Sequence, residues 1–308
     1  MISARPAALA SLAGAVAIAI VGPRVGVVPT LLLMLAAGVI VPLGVDVAVA
    51  EASPPVWTLL LLFSALGGVL GWVFPPGSVW AIAFASVHVI TCFAIGLAGL
   101  ARIIRRPPLP DLAIALGMVF FPVGGTWLMA ARGGVPLIGF HEPVVTFTAA
   151  HFHFAGFAAP LVIGGAGKRV FEGRPPTRHY RIAAIAVCSG IPLTAIGIAT
   201  SPIIEKLAAC SLALGMLAAA FFLVTAARRR APTEIGALLF GISGATLLVT
   251  MSLAATFAVT SSAGRESTFA GTVSLQTMID FHGAANAVGF ALAGLPALTL
   301  TPRAPQGC

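Results

Sequence analysis

Apolar residues fill most of this chain in long continuous blocks, and the polar residues fall mainly between the blocks. The blocks do not alternate between apolar and polar positions, so the pattern predicts helices and argues against the strands of a membrane barrel. About 20 helical residues cross the apolar core of a bilayer, which matches the length of most blocks. The predicted membrane-spanning helices cover residues 6–22, 27–50, 56–74, 78–100, 111–131, 143–165, 180–200, 203–227, 234–260 and 273–300.

The composition supports the same class of protein. Of the 308 residues, 59% are hydrophobic and 8% are charged, and the mean hydropathy is +1.05. A soluble domain carries about a quarter charged residues, so we expect an all-α, polytopic transmembrane helix bundle whose main partner is the lipid bilayer. Residues 1–308 are predicted to form one integral membrane domain. The first block lacks a distinct polar cleavage segment, which favours an uncleaved helix over a signal peptide.

Positive charge predicts the orientation. The net charge is +8, and the basic residues cluster after the fourth, sixth and eighth predicted helices, at Arg102–Arg106, Lys168–Arg181 and Arg228–Arg230. Basic connections stay in the cytoplasm, so both termini are predicted to lie inside and the protein to reside in the cytoplasmic (inner) membrane. No basic face is interleaved with aromatic residues, and we therefore expect no nucleic-acid partner.

Common catalytic and disulfide patterns are absent from the sequence. The chain has no HExxH, GxSxG, Walker or dinucleotide-binding motif, which argues against a hydrolase or nucleotide enzyme. Its cysteines lack CxxC spacing and lie mostly inside apolar blocks, where they are interpreted as small packing residues. They are Cys92, Cys188, Cys210 and Cys308.

Ionisable residues inside the sixth predicted helix are the main functional signal. Such side chains are costly in a bilayer and usually mark a functional site. Glu142 lies at the helix start, and His153 lies eleven residues later, nearly in line with it and roughly 16 Å deeper. This arrangement predicts a polar track from the membrane rim to its middle. His151 and His153 do not share a face, so they should meet different neighbours unless the helix opens near Pro160.

The other candidates lie on the tenth and fourth helices and beside the rim. His282 and Asn286 are four residues apart and share a face, and Asp280 lies just before them. We expect His151, His153 and His282 to form one joint site. Additional candidates are His88 and His141.

Each of these residues also has a structural interpretation. Glu142 before a proline suits a helix start. His88 suits an interhelical hydrogen bond, Asn286 suits helix packing, and Asp280 suits the wet interface.

The histidines are compatible with several chemistries. Imidazole binds transition metals, with Glu142 or Asp280 as an oxygen ligand, so His151, His153, His282 and Glu142 are candidate metal ligands. Two facing histidines would also hold a b-type haem, and a chain of histidines would relay protons. The sequence leaves the cofactor unknown.

Four segments carry a family resemblance: Gly139–Pro143, Thr148–Phe157 (TAAHFHFAGF), Phe281–Phe290 (FHGAANAVGF) and Phe121–Trp127 (FPVGGTW). In these residues the chain resembles the YndJ-like family of bacterial membrane proteins, although Phe154 stands where that family would have tyrosine. The resemblance implies an integral membrane protein of a family treated as transporters, and it implies no defined reaction. It points to Glu142, His151, His153, His282 and Asn286 as functional positions.

Three functions follow as hypotheses. The first is a transporter of an unidentified ion or small solute, with Glu142 at the entry and the histidines as proton or metal ligands. The second is a membrane redox protein or metalloprotein that holds haem or copper on the same histidines. The third is a structural membrane component. None of the three requires the protein to be an enzyme.

Overall fold

The computed structural model describes residues 6–25, 28–48, 55–231, 233–260 and 277–299. These residues form ten helices in chain order. They are α1 (Pro6–Val25), α2 (Val28–Ala48), α3 (55–73), α4 (Val79–Ile104), α5 (Leu109–Gly133), α6 (Val144–Phe171), α7 (Arg178–Thr200), α8 (Pro202–Ala227), α9 (Glu234–Thr260) and α10 (278–299).

The predicted all-α class is confirmed. Eight of these helices, all except α1 and α3, are long and apolar enough to cross a membrane. In the part of the chain that the structure describes, the only strand-like pairing is an isolated bridge between Leu137 and Phe140 in the turn from α5 to α6. A prediction of about ten spanning helices therefore agrees with the fold, because α1 and α3 are also apolar and only shorter.

Several helix ends differ from the predicted ends. Helix α4 continues to Ile104 and α6 to Phe171, beyond the predicted residues 100 and 165. The basic residues that the sequence assigned to connections thus partly belong to helices, since Arg102 and Lys168 lie in the last turns, where cations favour the helix dipole. The predicted ends at Val27, 49–50, 273–276 and Leu300 lie outside the described residues.

Two wide π-helical turns occur just before prolines inside helices. Pro42 and Pro160 each lack the N–H that would bond to the carbonyl four residues earlier, on Gly38 and Gly156 respectively. Both carbonyls lie inside π-helical segments, Ala36–Ile40 in α2 and Phe152–Ala158 in α6. A π-helical turn inside an α-helix frequently marks a functional site. Helix α6 therefore widens by a π-helical turn and stays continuous, so the alternative that it opens near Gly156 and Pro160 does not hold.

Helix α6 lies at the centre of the bundle. In the most apolar 18-residue stretch of α6, 72% of the residues are buried, which is the largest share among the spanning helices that the structure describes. Its buried aromatic residue Phe157 belongs to the main core and stacks on Phe121 of α5 at 4.4 Å between ring centroids. This central position surrounds the side chains of α6 with neighbouring helices on several sides.

Candidate functional site

Two histidines from different helices meet in the interior of the bundle. His88 on α4 and His153 on α6 both have no exposed surface. Their Nε2 atoms are 3.0 Å apart, and the rings are nearly parallel. The ring of Phe121 on α5 lies nearly perpendicular to both imidazoles. The interhelical hydrogen bond expected for His88 is therefore present, and its partner is His153.

The hydrogen-bond partners define which ring nitrogens carry protons. A carbonyl oxygen can only accept, so His153 Nδ1–H donates to Ala149 O at 2.7 Å. In the neutral ring, His153 Nε2 is then an acceptor, and His88 Nε2–H donates to it. His88 Nδ1 in turn accepts from the hydroxyl of Ser64 on α3 at 2.9 Å. Three helices are thus joined by one directional chain of buried hydrogen bonds.

Cys92 brings a third ligand-type atom to this pair. It lies one helical turn after His88 on α4 and is fully buried. One potential ligand atom from each of His88, Cys92 and His153 lies within 4.8 Å of the other two. We call these three residues the His–Cys cluster.

The GG pair of α5 makes room for the His–Cys cluster. A Cβ atom at Gly124 would lie 2.9 Å from His153 Nδ1, and one at Gly125 would lie 2.9 Å from Cys92 Cβ. Both distances are too short for a real side chain, so α5 approaches the cluster closely only because these positions are glycine. The motif that carried part of the family resemblance, Phe121–Trp127, therefore forms one wall of the cluster.

His151 faces a different part of the bundle. It lines a cavity of about 220 Å³ together with His282 and Asn286 of α10. The walls are otherwise apolar and include three methionines: Met216, Met251 and Met278. We call this space the methionine cavity.

The methionine cavity contains one fixed and one free imidazole. His282 Nδ1–H donates to Thr250 O on α9 at 3.0 Å, and the Asn286 amide lies 3.3 Å from the same ring nitrogen. The Thr250 hydroxyl donates a hydrogen bond to Asn286 Oδ1 at 2.7 Å. His151 has no hydrogen-bond partner among the described residues and remains free to bind a ligand.

The rim residues form a third group. Glu142 caps the start of α6, where its carboxylate accepts from Thr146 N at 3.2 Å and from Thr146 Oγ1 at 2.9 Å. It is exposed and lines a cavity of about 350 Å³, together with His141 and Arg132. We call this space the rim cavity. Asp280 is exposed on α10.

The structure does not assemble the predicted joint site as a single group. His153 belongs to the His–Cys cluster, whereas His151 and His282 share the methionine cavity, because residues two apart on α6 face different neighbours. Glu142 and His153 do not share a cavity either, since the rim cavity is lined by Glu142 and Thr146 and not by His153. The candidates are distributed over three places.

Sequence reasoning missed two residues. Cys92 was interpreted as a packing residue, although His88 and Cys92 are four residues apart and this spacing puts them on one helix face. Arg132 was not among the candidate residues, yet it lies in the last turn of α5 and is 3% exposed. The available sequence signal was a single arginine at the end of a membrane-spanning block, in a connection that carries few other charges.

Comparison with known proteins identifies the family of the chain. Residues 31–290 match the family described as YndJ-like protein. The chain is 25% identical over 283 residues to the "Uncharacterized membrane protein YndJ" of Bacillus subtilis (strain 168), and the match covers 81% of this chain and 48% of that relative. The chain thus spans about half the length of this curated relative. No solved structure matches the chain. Because the family match extends over most of its length, this chain is a membrane protein that belongs to the YndJ-like family.

Proposed function

We propose that the protein is an intramembrane metalloprotein that binds one soft transition-metal ion, Cu(I), at the His–Cys cluster. The observation that carries this proposal is the convergence of two imidazole nitrogens and one sulfur in a fully buried position. Thiolate sulfur with imidazole nitrogen is a ligand set for copper and zinc. The proposal retains the copper-binding hypothesis drawn from the sequence but moves the ligands to His88, Cys92 and His153.

The spacing of the histidines supports metal binding. Two nitrogen ligands at about 2.0–2.1 Å from one ion lie roughly 3.3–3.5 Å apart. The Nε2 atoms of His88 and His153 are 3.0 Å apart and need to separate by only a few tenths of an ångström. Metal-binding histidines usually donate their other N–H to a fixed acceptor, and His153 Nδ1–H already does so at Ala149 O.

The Ser64 hydroxyl lets His88 change tautomer. When both Nε2 atoms bind an ion, His88 must carry its proton on Nδ1. Ser64 then accepts a hydrogen bond where it now donates one, and a hydroxyl does either after a simple rotation. The surrounding hydrogen bonds thus serve both the metal-free and the metal-bound forms.

Charge and coordination number favour Cu(I) over Zn²⁺. When Cu(I) replaces the thiol proton of Cys92, one proton is released and the loaded site is electrically neutral, whereas Zn²⁺ with one thiolate leaves a net positive charge, which is expensive inside a membrane. Structural zinc also takes four ligands, and the cluster offers three among the described residues. A neutral three-ligand site is therefore best suited to Cu(I).

Anaerobic titration of the detergent-purified protein with Cu(I), against a coloured Cu(I) chelator, tests the proposal. We expect one tightly bound equivalent per chain that competes with the chelator. The proposal fails if the folded protein takes no copper from the chelator at any ratio.

A second function, transport of the same ion, is favoured by the methionine cavity. Thioether sulfur and imidazole are soft ligands for Cu(I), and this cavity combines three methionines with the free His151. The basic connections support placing the protein in the cytoplasmic membrane with both termini inside. In that orientation the start of α6 faces outward, and the methionine cavity would receive ions before the His–Cys cluster does.

Liposomes that contain the protein should take up Ag(I), a redox-stable substitute for Cu(I), faster than protein-free liposomes. His151→Ala should slow this uptake by roughly tenfold and leave Cu(I) binding at the cluster unchanged, because the loss of one coordinating ligand weakens only the cavity. The matched control is His179→Ala, since His179 is exposed at the start of α7. Uptake equal to that of empty liposomes would exclude transport.

A further inference from the structure

The rim cavity contains an arginine whose hydrogen bonding is incomplete. Arg132 Nη2 donates to Phe74 O, and the guanidinium lies 4.3 Å from the ring centre of Trp72. The Nε–H group of Arg132 is buried and has no acceptor among the described residues. The indole N–H of Trp72 is likewise buried without an acceptor there. Two neighbouring donors thus lack partners, although buried donors are nearly always paired.

The charges in the rim cavity have opposite sign and are not joined. Arg132 and the carboxylate of Glu142 interact electrostatically across the cavity but form no direct ion pair among the described residues. Glu142 lines the same cavity, and its two bonds to Thr146 fix the carboxylate at the start of α6. Each carboxylate oxygen retains a lone pair for another donor. The cavity therefore presents one fixed cation and one fixed anion.

These charges select the class of ligand. A guanidinium with free N–H groups binds carboxylate or phosphate oxygens, and a carboxylate binds an ammonium group. A simple anion would be repelled by Glu142, and a simple cation by Arg132. A ligand that carries both charges places its anionic group at Arg132 and its cationic group at Glu142, and the net charge of the cavity stays zero.

We propose that the rim cavity binds a small zwitterion that carries an ammonium group and a carboxylate or phosphate group. The Arg132 guanidinium receives the oxyanion, and Glu142 receives the ammonium. Two sources share this chemistry: a free amino-acid-like solute and the headgroup of an ethanolamine phospholipid. The site is independent of the His–Cys cluster, since the two share no residue.

Thermal unfolding of the purified protein in a maltoside detergent, with defined probes, tests this inference. Glycine, O-phosphoethanolamine or a short-chain phosphatidylethanolamine should raise the unfolding temperature in a saturable way. Acetate and ethylammonium at equal concentration and ionic strength should not. Stabilisation by the lipid alone would identify a headgroup as the ligand, and stabilisation by the soluble probes would identify a free solute. If no zwitterion stabilises the protein, the inference is overturned.

Two variants separate the charges. Arg132→Lys keeps the positive charge but loses the planar guanidinium, which can donate two parallel hydrogen bonds to an oxyanion. This variant should bind the zwitterion roughly tenfold or more weakly. Glu142→Gln should abolish the preference for zwitterions, so that acetate stabilises the variant as well as glycine does. Arg178→Gln, which removes an exposed charge at the start of α7, serves as the control and should bind like the unmodified protein. If Arg132→Lys does not fold, Glu142→Gln still decides, because an unchanged zwitterion preference in that variant would contradict the proposal.

Discussion

Replacing Cys92 with serine is expected to lower the affinity of the protein for Cu(I) by more than about 100-fold, since loss of even an outer partner of a metal ligand costs roughly 10–100-fold. The thiolate is the one anionic ligand of the proposed site, and its negative charge balances the positive charge of Cu(I). A serine hydroxyl is neutral and is a hard oxygen ligand, which suits Cu(I) poorly. The measurement is anaerobic competition with a coloured Cu(I) chelator.

Cys188→Ser provides the matched control for this prediction. Cys188 is also a buried cysteine, but it lies on α7 and outside the His–Cys cluster. Its replacement should leave Cu(I) affinity unchanged. Equal loss of affinity in the two variants would mean that copper binding depends on general packing and not on Cys92.

Replacing His153 with alanine is expected to lower the free energy of unfolding of the metal-free protein by about 3–5 kcal/mol. The substitution leaves a cavity where the ring packs nearly perpendicular to that of Phe121. It also leaves His88 Nε2–H without its acceptor in a fully buried position. Reversible unfolding in mixed detergent and dodecyl sulfate micelles measures the change.

His151→Ala is the control for stability, because His151 is two residues away on the same helix. Its ring lines the methionine cavity and has no hydrogen-bond partner among the described residues. Its loss should change the free energy of unfolding by less than about 1 kcal/mol. A larger effect for His151→Ala than for His153→Ala would contradict the assignment of His153 to a hydrogen-bonded cluster.

The helices were predictable because the bilayer imposes a simple rule on the sequence. Backbone groups in lipid must bond within their own segment, so each spanning helix appears as a continuous apolar block. The spans around α7, α8 and α9 were predicted to within three residues at each end for this reason. The end of α6 at Phe171 was missed, because Lys168 and Arg169 were interpreted as connection residues although they belong to the last helical turn.

The grouping of the histidines was not predictable in the same way. Sequence periodicity shows which residues share one face of one helix, but not which neighbouring helix that face meets. His88 and His153 are 65 positions apart, and their contact depends on which faces of α4 and α6 pack toward each other beside α5. The π-helical turn that begins at Phe152 changes the direction of the side chains that follow it. The sequence therefore indicated that His151 and His153 differ, but not where each one points.

The roles of two glycines and one arginine could be recognised only from their contacts in the folded protein. Gly124 and Gly125 were part of a recognisable motif, but their role as the wall of the cluster depends on distances to side chains of α4 and α6. The burial of Arg132 likewise depends on a contact between distant segments. The turn after α3 packs on the end of α5, where Gly77 N–H donates a hydrogen bond to Arg132 O at 2.8 Å.

The central claim is that His88, Cys92 and His153 bind copper together. X-ray absorption spectroscopy of the Cu(I)-loaded protein and of the Cu(I)-loaded Cys92→Ser variant tests it most directly, since it counts the nitrogen and sulfur atoms around the ion. We predict two imidazole nitrogens and one sulfur in the unmodified protein, and loss of the sulfur in Cys92→Ser. Identical spectra for the two proteins would contradict the claim and would place the ion elsewhere, for example at the thioether sulfurs of the methionine cavity.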